Sequence, residues 1–257
     1  MRYSAPLLFY LVTTVLAQQE GSQTSGGYTT APQPSDVSSS GGCPSIWKEV
    51  ASDLQTTFQG CNDAARGAIR APFHDCVNGA CDGSLILGGE CSRSENAGLV
   101  PTCDLLGQKA KQYNVGAADM IEFAAAMAIS ICPLGPRVRA LVGRKDSSTP
   151  APEGLVPASR DPIPKILEQF AKVGMSSSDV VALVGAHTTA RQFFDDPARA
   201  GASLDTTPSR WDVTFYRETL TRTAPYSLSS DLRMTNDSQD RLPVIGSVSL
   251  PASPPGR

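Results

Sequence analysis

The chain has 257 residues, with 22 Lys and Arg against 25 Asp and Glu and a formal net charge of −3. That balance, with no basic cluster interleaved with aromatics, gives no support for a nucleic-acid partner. Seven cysteines and only two histidines are present, so disulfides and a scarce imidazole supply frame everything that follows.

The N-terminus has the form of a secretory signal: Arg2, an apolar run from Ala5 to Val15, and the small-residue site Val15-Leu16-Ala17. The run is too short to cross a bilayer, so residues 1–17 are read as a signal peptide and secretion is expected. Residues 18–42 are mostly Ser, Gly, Thr, Gln and Pro. Such a composition buries too little surface to fold and is read as a flexible leader. One folded domain is expected over residues 43–240, followed by a Pro/Ser-rich tail at 241–257.

Within the domain the apolar residues repeat at helical spacing. Helices are predicted at Ile46–Phe58, from Asn62 or Asp63 to His74, and at Leu105–Tyr113 and Ala117–Cys132. Further helices are predicted at Ile163–Val173, Ser178–Thr189 and Asp212–Thr221. Strand signals are short, so the fold class is mainly α. The apolar run Ala124–Cys132 is preceded by Asp119 and Glu122 and reads as a buried core helix, with no membrane partner expected. In a secreted chain seven cysteines imply disulfides and one leftover thiol. Zinc is the competing reading, but no paired C-x-x-C or His pair supports it. Asn236-Asp237-Ser238 is a glycosylation acceptor triplet.

Arg70 and His74 are four residues apart and share one helix face with Ile69 and Phe73, which places a cation, a base and an aromatic ring on one wall. Pro72 inside that helix removes a backbone donor and predicts a kink near its end. The loop Asp75 to Ser84 then offers carboxylates, a hydroxyl and carbonyls, hard donors that suit calcium; a solvated turn is the equal alternative. Ser176 to Asp179 caps the next helix, on which Val180, Leu183, Val184 and His187 share a face. Gly185 and Ala186 beside it leave room for a bulky partner. Asp205, Thr207 and Asp212 again gather oxygen donors near Thr188. Two separated histidines suit a planar cofactor between them, one as ligand and one as acid–base group; two hydrogen-bonded structural histidines are the alternative.

Several ordered motifs then coincide: Arg70-x-x-Phe73-His74-Asp75, Cys81-Asp82-Gly83-Ser84, Glu95-Asn96-Ala97-Gly98-Leu99, Gly143-Arg144-Lys145-Asp146, Pro150 to Pro157, Val184-Gly185-Ala186-His187-Thr188 and Ser230-Asp231. From Cys43 to about Asp237 the chain resembles the secreted fungal haem peroxidases of the plant peroxidase superfamily, the ligninase-type class II. The resemblance implies a helical fold with one haem b between a distal and a proximal lobe, hydrogen peroxide as oxidant and a small-molecule reducing substrate. A monomer is expected. His187 would ligate the iron and Asp231 would accept from its Nδ1–H. His74 would be the acid–base group, oriented by Asn96, with Arg70 stabilising charge and Phe73 beside it.

Two calcium ions are implied as well. One would take Asp75, the Ala80 carbonyl, Asp82 and Ser84, with Glu90 near. The other would take Thr188, Asp205, Thr207, the Arg210 carbonyl and Asp212. Asp119 with Arg144 resembles a buried ion pair of the superfamily, a plain surface pair being the alternative. The resemblance also pairs Cys61 with Cys132 and Cys76 with Cys81, leaves Cys91 for Cys103, and leaves Cys43 over.

The chain departs from its likeness in three places. The acids that bind Mn(II) in some members correspond to Asp63, Gly67 and Phe193. The surface tryptophan of ligninolytic members corresponds to Ala182, and Trp47 and Trp211 read as packing residues. The family domain runs well past Asp231, so a domain incomplete at its C-terminus is expected. Small phenols at the haem edge are then the expected donors, and a remnant that keeps the motif without retaining haem is the second reading.

Overall fold

The computed structural model describes residues 43–236. The signal, leader and tail expected at 1–42 and 241–257 lie outside the described residues, as do positions 237 and 238 of the glycosylation triplet. Among the described residues nine α-helices and four short 3-10 turns carry the fold, and the only β pairing is an isolated bridge between Arg191 and Ser203. No single described helix is long and apolar enough to cross a membrane.

The first core is built by four helices. In α1 (Ile46–Thr57), Trp47, Val50 and Leu54 repeat at helical spacing and are buried. In α2 (Asp63–Cys76), Ala65, Ala68 and Ala71 make a narrow small-residue face, so its neighbours come close. Asn62 caps α2 by accepting from Ala65 N at 3.0 Å. Pro72 removes the bond to the Ala68 carbonyl, yet the helix runs on to Cys76. A short α3 (Ser84–Leu87) follows, then α4 (Val100–Tyr113) and α5 (Ala117–Ile131). α4 starts five residues before the predicted Leu105, because Pro101 sits in the first turn, where its missing N–H costs nothing. Trp47 packs on Phe123 of α5 with ring centroids 4.6 Å apart, and Trp211 packs on the same core. Gly67 on α2 faces Thr102 of α4, whose hydroxyl occupies the place a Cβ would take.

A second, smaller core joins α6 (Ile163–Lys172), α7 (Ser177–Val184), α8 (Thr214–Thr221) and α9 (Ser229–Asn236). Its buried residues are Ile163, Ile166, Val180, Val181 and Met234. Ser176 forms a capping box with Asp179, each side chain accepting from the other's backbone. The predicted apolar face of α7 is off in one place. Leu183 is 48% exposed and Val181 is buried instead, because the buried stripe centres between Val180, Val181 and Val184 and leaves Leu183 at its edge. The helix also tightens to a 3-10 turn, Gly185–Thr189, before it reaches His187.

Between the two groups of helices, residues 133–162 have no helix or strand. Acidic side chains satisfy their backbone instead. Asp119 accepts from Gly143 N and Arg144 N, at 2.6 and 3.1 Å, and Asp146 accepts from Ala117 N and Ala118 N. Asp119 is itself buried and pairs with the Arg144 guanidinium at 3.4 Å.

Three disulfides are present: Cys61–Cys132, Cys76–Cys81 and Cys91–Cys103, with Cys43 exposed and free. Cys61–Cys132 spans 71 residues and ties the start of α2 to the end of α5. Its chain-entropy contribution is about 4 kcal/mol. Replacing both cysteines by alanine is expected to lower the unfolding free energy by about that amount, read from urea midpoints at constant m-value.

Candidate active site

α2 places Arg70, Phe73, His74 and Asp75 within two turns. His74 is 4% exposed, and its Nδ1 lies 2.7 Å from Asn96 Oδ1. The partner decides the tautomer. Asn96 Nδ2 is committed to the Glu90 carbonyl at 2.9 Å, so its Oδ1 faces the imidazole and must accept. His74 Nδ1 therefore carries the proton and Nε2 is bare. Burial first, then the Arg70 charge, pull the His74 pKa down to about 3, against a smaller upward pull from Asn96. The imidazole is neutral over the working range of most proteins.

Arg70 donates from Nη1 to the Ala97 carbonyl at 2.8 Å. Desolvation lowers its pKa to about 10, so it remains a cation at neutral pH. Its charge reaches both imidazoles, lowering His74 and opposing protonation of His187.

On the other side, His187 Nδ1 lies 3.0 Å from Asp231 Oδ2, and Asp231 is 1% exposed. Burial disfavours charge on this imidazole, but the Asp231 carboxylate and hydrogen bond outweigh it, and the pKa is raised above 6.5. The His187 side chain keeps 30% of its surface accessible. Phe215 of α8 meets it edge-on at 5.4 Å. The close neighbour of Gly185 is the Tyr216 hydroxyl, which donates to the Val181 carbonyl at 2.8 Å, so that glycine serves helix packing.

Two oxygen clusters adjoin the histidines. Asp75, next to His74, is 1% exposed and accepts from Gly83 N and Leu85 N at 2.9 and 3.1 Å. Between those donors the Ser84 hydroxyl is buried without a hydrogen-bond partner. Asp82 accepts from Ser84 N, and Ala80 lies on the loop just before it. Desolvation raises the Asp75 pKa, with Asp82 and Glu90 adding to it. The second cluster follows His187 directly. Thr188 donates to Asp205 at 2.6 Å, and Thr207 Oγ1 lies 3.2 Å from Asp212 Oδ1. Arg210 N bonds the Thr207 carbonyl. Asp205 is fully buried, and desolvation raises its pKa, with Asp212 and Glu218 adding to it.

Buried carboxylates crowded together beside an orphan hydroxyl are the donor set of a hard cation such as calcium. A third group, Cys76, Cys81 and Glu122, has the residue types of a metal site. Its sulfurs are joined in a disulfide, which leaves only the Glu122 carboxylate free.

A family model described as peroxidase matches residues 50–244. The chain belongs to the peroxidase family. A peroxidase of Arthromyces ramosus is 34% identical over 82% of this chain and 62% of its own length. A low-redox potential peroxidase of Taiwanofungus camphoratus is 37% identical over 70% of this chain and 55% of its own. Manganese peroxidase H4 of Phanerodontia chrysosporium is 36% identical over 66% and 49%. The chain thus spans about half to three fifths of the length of these relatives. The matched region contains both histidines, both oxygen clusters and all three disulfides. The donor set suits a haem: each imidazole has Nδ1 bound and Nε2 free, the Arg70 charge acts on both, and an aromatic ring lies edge-on to each.

Some contributors were not legible in the sequence. Phe170 of α6 stacks on Phe73 at 5.5 Å, and only the aromatic character of an amphipathic helix hinted at it. The Ala97 and Glu90 contacts run through backbone carbonyls, for which no side-chain signal exists. Phe194 lies against Gly98, which has φ +82° and no room for a Cβ.

The two pKa shifts have opposite consequences for stability. His187, raised when folded, stabilises the fold below pH 6.5 and loses that contribution as pH climbs through its folded value. His74, depressed to about 3, stabilises above pH 6.5 and loses its contribution as pH falls toward 3. NMR titration of the two imidazoles should find His74 neutral to near pH 3 and His187 titrating above 6.5. Asp231→Asn should bring His187 below 6.5, because burial and Arg70 then act without the carboxylate.

Proposed function

We propose that this chain is a secreted, monomeric haem peroxidase that reduces hydrogen peroxide to water while oxidising small phenolic or aromatic donors one electron at a time. The peroxidase domain is taken as residues 43–240, after a signal at 1–17 and a leader at 18–42. The observation that carries the reading is the pair of imidazoles with Nδ1 fixed by Asn96 and Asp231 and Nε2 free on each, with the Arg70 charge acting on both.

One haem b, ligated by His187 through Nε2, would supply the iron that binds peroxide and holds its oxidising equivalents. His74 Nε2, bare because Nδ1–H is given to Asn96, takes the proton from hydrogen peroxide and returns it to the departing oxygen, which leaves as water. Arg70 stabilises the negative charge that grows as the O–O bond breaks. Asp231 accepts from His187 Nδ1–H and would make the imidazole a stronger electron donor to the iron it holds. Two phenols each give one electron and one proton, so one peroxide and two phenols yield two waters and two phenoxyl radicals.

Two calcium ions fit the reading. Asp75, Ala80, Asp82 and Ser84 would hold one beside His74, and Thr188, Asp205, Thr207, Arg210 and Asp212 would hold the other beside His187. Manganese is disfavoured for a physical reason. An acid at position 67 would collide with Thr102, Asp63 is taken up by Arg66 at 2.8 Å, and the third position is Phe193. Phe193 and its neighbour Phe194 are 42% and 58% exposed, a surface suited to aromatic donors.

The test is an absorption spectrum of the purified chain with calcium and haemin, before and after one equivalent of peroxide. A histidine-ligated ferric Soret band that shifts with peroxide and returns with a phenol is expected, and His187→Ala should abolish it. Free-haemin absorption alone would replace this reading with that of a chain unable to retain haem. The peroxide reaction should be flat in pH down to about 4, since His74 protonates only near 3. Chelation of calcium should broaden the Soret band and lower the melting temperature, and calcium should restore both.

A further inference from the structure

The segment Glu90–Gly98 carries both hydrogen-bond partners of the distal pair, yet it has little regular structure of its own. It consists of two 3-10 turns, Glu90–Ser92 and Ser94–Asn96, entered through Gly88 and Gly89. Asn96 accepts from His74, and the Ala97 carbonyl accepts from Arg70. Displacing such partners by about 1 Å is enough to cost orders of magnitude in rate.

What holds the segment is uneven. Glu90 and Glu95 accept from the backbone of Ala151 and Gly154, both at 2.8 Å, and Arg93 bridges toward both acids. Those partners lie in residues 133–162, which have no helix or strand, so these bonds tie one loop to another. Beyond the chain itself, which enters α4 at Val100, the covalent cross-link from the start of the segment to that helix is Cys91–Cys103. Cys103 stands in the first turns of α4, both sulfur-bearing side chains are buried in the first core, and Cys103 N donates to the Leu99 carbonyl at 2.8 Å. The bridge closes a loop of twelve-residue separation with Asn96 and Ala97 at its middle.

We propose that the Cys91–Cys103 disulfide is a positioning clasp for the acid–base pair: it fixes Asn96 and Ala97 against α4 and so sets the orientation of His74 and Arg70. The clasp acts through these two residues and touches no reacting atom. Its catalytic consequence rests on the reading of His74 and Arg70 as the reacting pair.

Because the chain has two histidines, both imidazoles are assignable in one NMR spectrum. In Cys91→Ala/Cys103→Ala, the His74 Nδ1–H should exchange with solvent at least tenfold faster than in the parent chain. The His187 Nδ1–H, held by Asp231 outside the loop, should be unchanged. Asn96→Ala with the bridge intact should reproduce the His74 change. With haem bound, the second-order rate with peroxide should fall at least tenfold while phenol oxidation keeps its rate. Should the parent chain fail to react with peroxide, the functional reading falls and the exchange result still decides the clasp. Unchanged His74 exchange with a lower melting temperature would make the bridge a general staple. Equal acceleration at both histidines would mean global loosening, and failure of both this variant and Cys91→Val/Cys103→Ala to fold would assign it a whole-domain role. Each of those three results overturns the proposal.

Discussion

The site depends on keeping one imidazole neutral next to a permanent cation. His74 and Arg70 stand one helical turn apart on α2, and both are desolvated, so charge on the imidazole is penalised twice. Neutrality alone does not make a base, since the proton has to sit on the far nitrogen. Asn96 provides that condition, and it does so because the Glu90 carbonyl occupies its amide nitrogen. The chain of constraint thus runs from a backbone carbonyl to an amide, to a tautomer, and then to a bare Nε2, the atom the proposed function uses as its base. The proximal side uses the opposite means. A buried carboxylate holds the His187 Nδ1–H and raises its basicity against the pull of burial.

Helices with long apolar periods were legible from the residues, and so was the Arg70–His74 spacing, because a four-residue interval on a helix fixes a shared face. What escaped had no periodic signature. α3 is four residues long, α9 is mostly polar, and α4 begins at Val100, ahead of the periodic stretch that starts at Leu105. Leu183 shows the limit of face arguments near a helix end, where one residue of phase decides between core and surface. The site divides in the same way. Side chains quoted in motifs could be placed by number, whereas the Ala97 and Glu90 carbonyls and the stacking of Phe170 on Phe73 come only from tertiary structure. The orienting role of Asn96 came with the resemblance, whereas the Glu90 carbonyl that fixes its amide came only from the structure.

Under the proposed function, the preference against a manganese donor follows from packing as much as from charge. Gly67 is bound up with the approach of α2 to α4, since Thr102 fills the space where a side chain would start. An acid could not be restored there by substitution without moving a helix of the first core. Specificity against a metal donor is in that sense built into the same contact that lets the two helices pack.

The meeting of Phe194 with Gly98 bears on how this surface can vary over evolutionary time. Two separate penalties fall on position 98: a left-handed φ of +82° and a ring lying where a Cβ would go. A single codon change away from glycine incurs both together, and changing Phe194 relieves only the second. Phe194 is therefore free to trade size and polarity, whereas position 98 is held to glycine by its own backbone conformation whatever faces it.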